Sequence, residues 1–210
     1  MNLELITKYT LNRIIIIDGE ITDELSYNVV CKLIELNNQD ASKDIFILIN
    51  SNGGKTTAAM AIYDVIKWCR CNICTIAVGE ICAIAGLLLV AGTKGKRYIC
   101  IEAVLVPTLY TYAKEEGIDK NITILEEIII KIIKEYAVQT DHSFEEMRNV
   151  LFTEYYLSAE DTVKYGFSDY LIDIPVICNE NEFNEEVLSY ASIENQYDHL
   201  VTYLLKRYIK

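Results

Sequence analysis

The sequence predicts an α/β fold built on a parallel sheet, and three observations carry that reading. Short Ile- and Val-rich runs recur at Arg13 to Asp18, Ile45 to Ile49 and Ile73 to Val78, and segments with apolar residues at helical spacing stand between them. The 210 residues hold only 9 Gly and 2 Pro against a hydrophobic share of 51%, enough to fill a core and too ordered a composition for a disordered or fibrous chain. Length fits one domain of about 100–200 residues with an appendage.

Taken in order, the Ile run from Arg13 is too short for a helix, rich in β-branching and closed by Asp18-Gly19, so it reads as a buried strand. Leu25, Val29, Val30, Leu33, Ile34 and Leu36 then repeat at helical spacing. Ile45 to Ile49 is a second strand, Gly53-Gly54 a turn, and Ala58 through Trp68 a helix with Met60, Ile62, Tyr63, Val65 and Ile66 inward. Ile73 to Val78 is a third strand, which Gly79 breaks; a small-residue helix follows from Cys82 to Ala91 with Gly92 as its C′ glycine. Strands around Arg97 to Ile101 and Val104 to Thr108 precede a long helix, Ile122 to Tyr136. Its apolar positions form two adjacent stripes, more than one core contact uses, and so point to a second chain. Ser158 to Asp161 resembles a capping box, Gly166 is a C′ stop, and Tyr170 to Ile172 is the last strand. Residues 175–210 form an extension, acidic to about Glu194 and then amphipathic through Leu200, Val201, Leu204, Leu205 and Tyr208.

Charge narrows the function. A balance of 19 basic against 31 acidic residues gives -12, a field that repels phosphate backbones and anionic lipid, so neither nucleic acid nor a membrane is an expected partner. The apolar run Ile81 to Gly92 falls short of the roughly 20 residues that span a bilayer. Seven cysteines, an odd number, fit a reducing compartment. With only His142 and His199, a three-His metal site within the chain is excluded.

Five stretches stand in a recognisable order: Ile49-Asn50-Ser51-Asn52-Gly53-Gly54, Ala61-Ile62-Tyr63-Asp64, Thr75 to Gly79, Leu87 to Gly92 and Gly95-Lys96-Arg97-Tyr98. Together with Leu157-Ser158-Ala159-Glu160, Tyr165-Gly166-Phe167 and Asp169, they resemble the proteolytic subunit family of the Clp protease, ClpP, over about Arg13 to Ile172. The resemblance implies a ClpP/crotonase-like spiral of ββα units with a protruding handle helix at about 119–138. It divides the chain into an N-terminal segment 1–12, a ClpP-like domain 13–174 and a C-terminal extension 175–210.

What the resemblance implies about chemistry follows position by position. The family's serine attacks only when an imidazole takes its proton, and a carboxylate holds that imidazole in place. The family's nucleophile position falls on Ala83, its His on Thr108 and its Asp on Glu154, so no nucleophile and no base are expected and only a carboxylate remains. Cys82 adjoins the nucleophile position but has no base, and its plain reading is a small buried residue. Gly53 and Gly54, with the N–H of Ile84, match the family's oxyanion hole, while Asn52 replaces its Pro. Phe46, Leu48 and Trp68 align with apolar positions that line the ATPase-docking cleft, or else they pack as ordinary core or rim. Ile129, Ile133 and Thr153 align with the ring–ring interface, Thr153-Glu154 replacing the family's Arg-Asp pair.

The expected function is therefore a catalytically inactive, ClpR-type subunit without cofactor. It would sit in a heptameric ring beside further copies or active ClpP subunits and meet a Clp/Hsp100 AAA+ ATPase. A crotonase-like acyl-CoA enzyme and a peptidase with a relocated site are the alternatives. Heavy use of Ile, Asn, Lys and Tyr points to an A/T-rich genome, and since ClpR-type subunits are typical of plastids and cyanobacteria the resemblance implies a plastid stroma, with a bacterial cytoplasm as the alternative. Cys69, Cys71 and Cys74 form C-x-C-x-x-C, but their placement across a helix end should point the thiols apart and no fourth ligand is near, so no metal is expected. Lys94, Lys96 and Arg97 read as a solvated basic turn.

Overall fold

In the computed structural model, residues 13–109, 122–153 and 155–173 are described, the side chains of 122–126 excepted. Every element below lies in one of the chain's two compact units, Thr7–Ile172. Strand β1 (Ile14–Asp18) is followed by α1 (Asp23–Gln39), whose first turn is capped by the Thr22 hydroxyl accepting from Leu25 N–H. Next come β2 (Ile45–Ser51), α2 (Thr56–Trp68), β3 (Ile73–Cys82), α3 (Ala85–Val90), β4 (Arg97–Cys100) and β5 (Val104–Val106). Helices α4 (Ile122–Thr140), α5 (Phe144–Leu151) and α6 (Ala159–Lys164) precede β6 (Tyr170–Ile172).

The strands pair in parallel in the order β1-β2-β3-β4-β6, with β5 also on β3, so the expected mixed α/β architecture with a parallel sheet is present. Its middle strands are buried on both faces, as parallel sheets are: Ile17, Ile45, Ile47, Leu48 and Ile49 are all fully buried. Burial of each such side chain contributes about 1.5–3 kcal/mol.

Two glycines act differently from expectation. Gly79 does not end β3. It bends the strand at φ 64°, and β3 runs on to Cys82 because its second half finds a new partner: Thr75 to Ala77 pair with β4, while Glu80 to Cys82 pair with β5. Gly92 is not a left-handed helix stop, for Gly92 is absent from the positive-φ positions and α3 already ends at Val90. It is glycine for want of space: a Cβ there would lie 2.4 Å from Thr75 Oγ1.

Arg97 is likewise not solvated. It is 3% exposed, and its guanidinium donates to both carboxylate oxygens of Asp169 (2.6 and 3.0 Å) and to the Gln139 carbonyl at 2.9 Å, tying β4 to the segment before β6 and to the end of α4. Lys96 also has a partner, pairing with Asp44.

Helix α4 packs against both α3 and α5, so part of its apolar surface is used within the chain. Ile133 is 2% exposed and Ile129 half-buried; among the side chains described, Ile130 and Val138 are the exposed apolar residues of the helix. A charge placed at 133 therefore reads out folding of the single chain before it reads out assembly.

Candidate functional site

The carboxyl ends of parallel strands are where α/β sheets build sites. Here Asn50, near the end of β2, joins three of them: its Nδ2 donates to Asp18 Oδ1 (2.8 Å) and its Oδ1 accepts from Glu80 N–H (3.2 Å). Beyond β2 the chain turns through Gly53 (φ 93°) and Gly54 (φ 143°), conformations that disfavour any side chain. A Cβ at Gly54 would fall 2.6 Å from the Ile21 backbone, which itself brackets the loop by Ile21 N–H to Gly53 O (2.8 Å) and Lys55 N–H to Ile21 O (2.9 Å).

That loop packs on the turn between β3 and α3. A Cβ at Gly53 would come 3.1 Å from Ala83 Cβ and 3.7 Å from Ile84 N. Ala83 itself has φ 49°, a left-handed conformation, at a sharp strand-to-helix turn held by Ala83 N–H to Val106 O (2.8 Å) and Gly86 N–H to Ala83 O (3.1 Å). Such a turn is the local geometry that elevates a nucleophile in hydrolases, yet the residue standing on it carries a methyl group. Ala83→Gly should therefore stabilise the fold by about 1 kcal/mol, because glycine occupies this region without Cβ strain. A melting temperature that falls on this change would show that the methyl contacts outweigh the strain.

Thr108, half-buried, follows β5 by two residues, and the register Cys82↔Val106 brings that end of the strand beside the turn. On its other side the chain 105–109 is bonded to the segment after α5: Leu105 and Leu157 exchange backbone hydrogen bonds (3.0 and 2.8 Å), and Leu109 N–H donates to Leu151 O (2.7 Å). Glu154 lies outside the described residues. Thr153 is exposed, its hydroxyl donating to Asn149 O at 2.7 Å.

One backbone donor and one thiol at the site are engaged. The Gly53 N–H donates to Ser51 Oγ at 3.1 Å, so it is committed within its own loop instead of standing open to a substrate oxyanion. Burial, reinforced by the neighbouring Glu80 carboxylate that accepts from Cys82 Sγ at 3.3 Å, pushes the Cys82 thiol up to about 12, which leaves almost no thiolate near neutral pH. His142 is spent elsewhere, its Nε2 3.2 Å from Tyr165 O; His199 is outside the described residues.

The residues aligned with a docking cleft divide. Phe46 (5% exposed) and Leu48 (fully buried) belong to the interior of β2, whereas Trp68 at the end of α2 is 59% exposed and alone among the three has surface to offer. Of the C-x-C-x-x-C thiols, Cys74 turns to Asp44 (3.6 Å), while Cys69 is half-buried and Cys71 buried. Among the described residues, no three His, Cys, Asp or Glu side chains form a group able to hold a metal ion. Ser51, whose hydroxyl holds the glycine loop, was not among the expected site residues, although its place before Asn52-Gly53-Gly54 marks it as a loop residue able to bond its own backbone two residues on.

The family model described as Clp protease matches residues 2–175. The ATP-dependent Clp protease proteolytic subunit 3 of Synechococcus sp. (strain CC9605) is 32% identical over 179 residues, covering 82% of this chain and 88% of the relative. The ATP-dependent Clp protease proteolytic subunit 2 of Prochlorococcus marinus (strain MIT 9312) is 32% identical over 182 residues, covering 85% and 90%.

Proposed function

The chain belongs to the Clp protease family, and from that premise we propose that it is a non-hydrolytic subunit that helps build a proteolytic ring. The observation that carries this reading is Ala83: the strained turn that would present a nucleophile is kept while the nucleophile is missing. Thr108 supports it, since a hydroxyl takes no proton from a serine near neutral pH. A relocated peptidase site is disfavoured by the protonated Cys82 thiol, and no feature of the described residues favours a crotonase-like reading.

In its ring the subunit would stand beside further copies or active ClpP subunits, with Trp68 the residue offered to an AAA+ ATPase partner. The cyanobacterial relatives are compatible with a plastid stroma, the compartment the ClpR-type resemblance implies, and with a bacterial cytoplasm.

Ring stacking follows from Thr153-Glu154. In the family an Arg-Asp pair at these positions links two rings, and bidentate Arg–carboxylate contacts are stronger than neutral hydrogen bonds. Thr153 has no charged group and bonds its own helix. The chain alone should therefore assemble as a single ring of seven. Native mass spectrometry of the chain, alone and mixed with an active ClpP, tests both points. A stable particle of fourteen from this chain alone would refute the stacking claim, and a monomer that never enters mixed rings would refute the function.

A further inference from the structure

Of the chain's asparagines, Asn52 alone is followed by glycine, and it stands in the glycine loop beside the Ala83 turn. Asparagine is a thermolabile residue because the backbone nitrogen of the next residue can attack its side-chain amide. A following glycine puts no side chain in the way. The Pro that the family resemblance places at this position has no such amide. Asn52 is exposed, whereas Ser51 is 1% exposed and Gly53 is buried. The asparagine side chain is thus open to water while the attacking nitrogen is guarded: Gly53 N–H donates to Ser51 Oγ at 3.1 Å, and the same hydroxyl donates to Gly53 O at 3.4 Å. Gly53 O also accepts from Ile21 N–H at 2.8 Å. Asn50, two positions earlier, precedes Ser51 instead of a glycine, and its side chain is held by Asp18 and by Glu80 N–H.

We propose that Asn52-Gly53 is a site of spontaneous deamidation in the folded chain, and that the Ser51 hydroxyl is the brake that sets its rate. The loop opens locally and Gly53 N–H leaves Ser51 Oγ. Gly53 N then loses its proton and attacks Asn52 Cγ; the new N–C bond closes a five-membered succinimide, the bond from Cγ to the side-chain nitrogen breaks, and ammonia departs with the proton. Water, the one co-reactant, opens the ring. Cleavage between Gly53 N and Cγ leaves an aspartyl residue, and cleavage between Gly53 N and the Asn52 main-chain carbonyl carbon leaves an isoaspartyl residue. No electrons are transferred. Either product adds a negative charge to the loop, and the isoaspartyl form also lengthens the main chain by one methylene just before Gly53, whose position packs on the Ala83 turn and is pinned by Ile21.

The sequence supplies an internal reference for the test. Trypsin cuts after Lys43 and Lys55, so Asn50 and Asn52 fall in one peptide, 44–55, and fragmentation separates them. The full chain is incubated at one temperature and pH, natively and in urea, and the digests are followed by chromatography and mass spectrometry. The expected result is the mass gain of an NH2-to-OH exchange at Asn52 in both samples, slower in the native one, with two products of equal mass that separate on the column. In native Ser51→Ala the rate should rise about fivefold, the factor that corresponds to freeing one hydrogen bond. In urea the variant and the parent should match. No gain at Asn52 in the native chain while the urea sample converts, a gain at Asn50 instead, or a single product in place of two overturns the proposal. An unchanged native rate in Ser51→Ala overturns the brake. Where that variant fails to fold, the unmutated chain decides: equal rates in native buffer and in urea overturn the brake as well.

Discussion

Purified free of other peptidases, the chain is expected to hydrolyse neither short peptides nor unfolded protein. Removal of a whole Ser-His-Asp set costs roughly 10⁶ in kcat in other serine hydrolases because its members act as one unit. Ala83 supplies no attacking oxygen and Thr108 no base. The combined change Ala83→Ser, Thr108→His and Glu154→Asp should restore weak activity at most. Its hydroxyl would stand on a suitable turn, but Gly53 N–H is tied to Ser51 Oγ and Asn52 occupies the loop where the family has Pro. Turnover by the unmutated chain that persists in Cys82→Ala would defeat the proposed function; full activity in the triple variant would show that the loop is already competent.

Arg97→Ala should be the most damaging single change in the body of the fold. It leaves Asp169 as a carboxylate that is 17% exposed and without its countercharge, a situation that costs about 3–5 kcal/mol where a buried pair is broken. The lower end is expected, because the backbone N–H groups of Gly95 and residue 97 still donate to Asp169 (2.8 and 2.9 Å). A loss of about 3 kcal/mol lowers the melting temperature of a chain this size by roughly 10 °C. The same pair sets an acid limit. Burial alone would raise the Asp169 carboxyl, but the hydrogen bonds and charge of Arg97 outweigh it and hold the group below its usual 3.8. Its contribution is therefore complete above that value and is lost as pH falls through the lower, folded one. Unfolding followed from pH 6 to pH 2 should show this loss in the parent and a smaller one in Arg97→Ala. Equal acid sensitivity in both would assign the effect to other carboxylates.

The strand and helix pattern was legible because period and β-branching decide it locally: Ile45 to Ile49 and the α2 stripe were readable from spacing alone. Even the missed helix α5 carried its signal, since Ser143 and Glu146 form a reciprocal capping box. What spacing does not encode is which neighbour a residue meets. Gly79 reads as a breaker until β5 arrives to extend the strand, Gly92 as a cap until Thr75 crowds it, and Arg97 as a surface cation until Asp169, 72 positions away, is folded against it. The second stripe of α4 poses the same question, because an apolar face announces a partner without saying whether that partner belongs to the same chain. Ala83 was readable as a chemical absence, whereas its left-handed backbone was visible only in the fold.

The two-partner strand β3 has a mechanical consequence. Below Gly79 its neighbour is β4, which Arg97 anchors to the body; above it, its neighbour is β5, bonded in turn to the chain after α5. Residue 79 is thus a fulcrum, and residues 80–82 a short lever arm ending at the Ala83 turn. Backbone bonds link Leu157 to Leu105 on β5, and Val106 O on the same strand accepts from Ala83 N–H, so the hydrogen-bonded path from residue 157 to the turn does not cross β4. Residues 80–82 are therefore tied on one side to β2, through Ser51↔Ile81 and the Glu80 N–H to Asn50 Oδ1 bond, and on the other to β5, so the Ala83 turn is held from both edges of the strand.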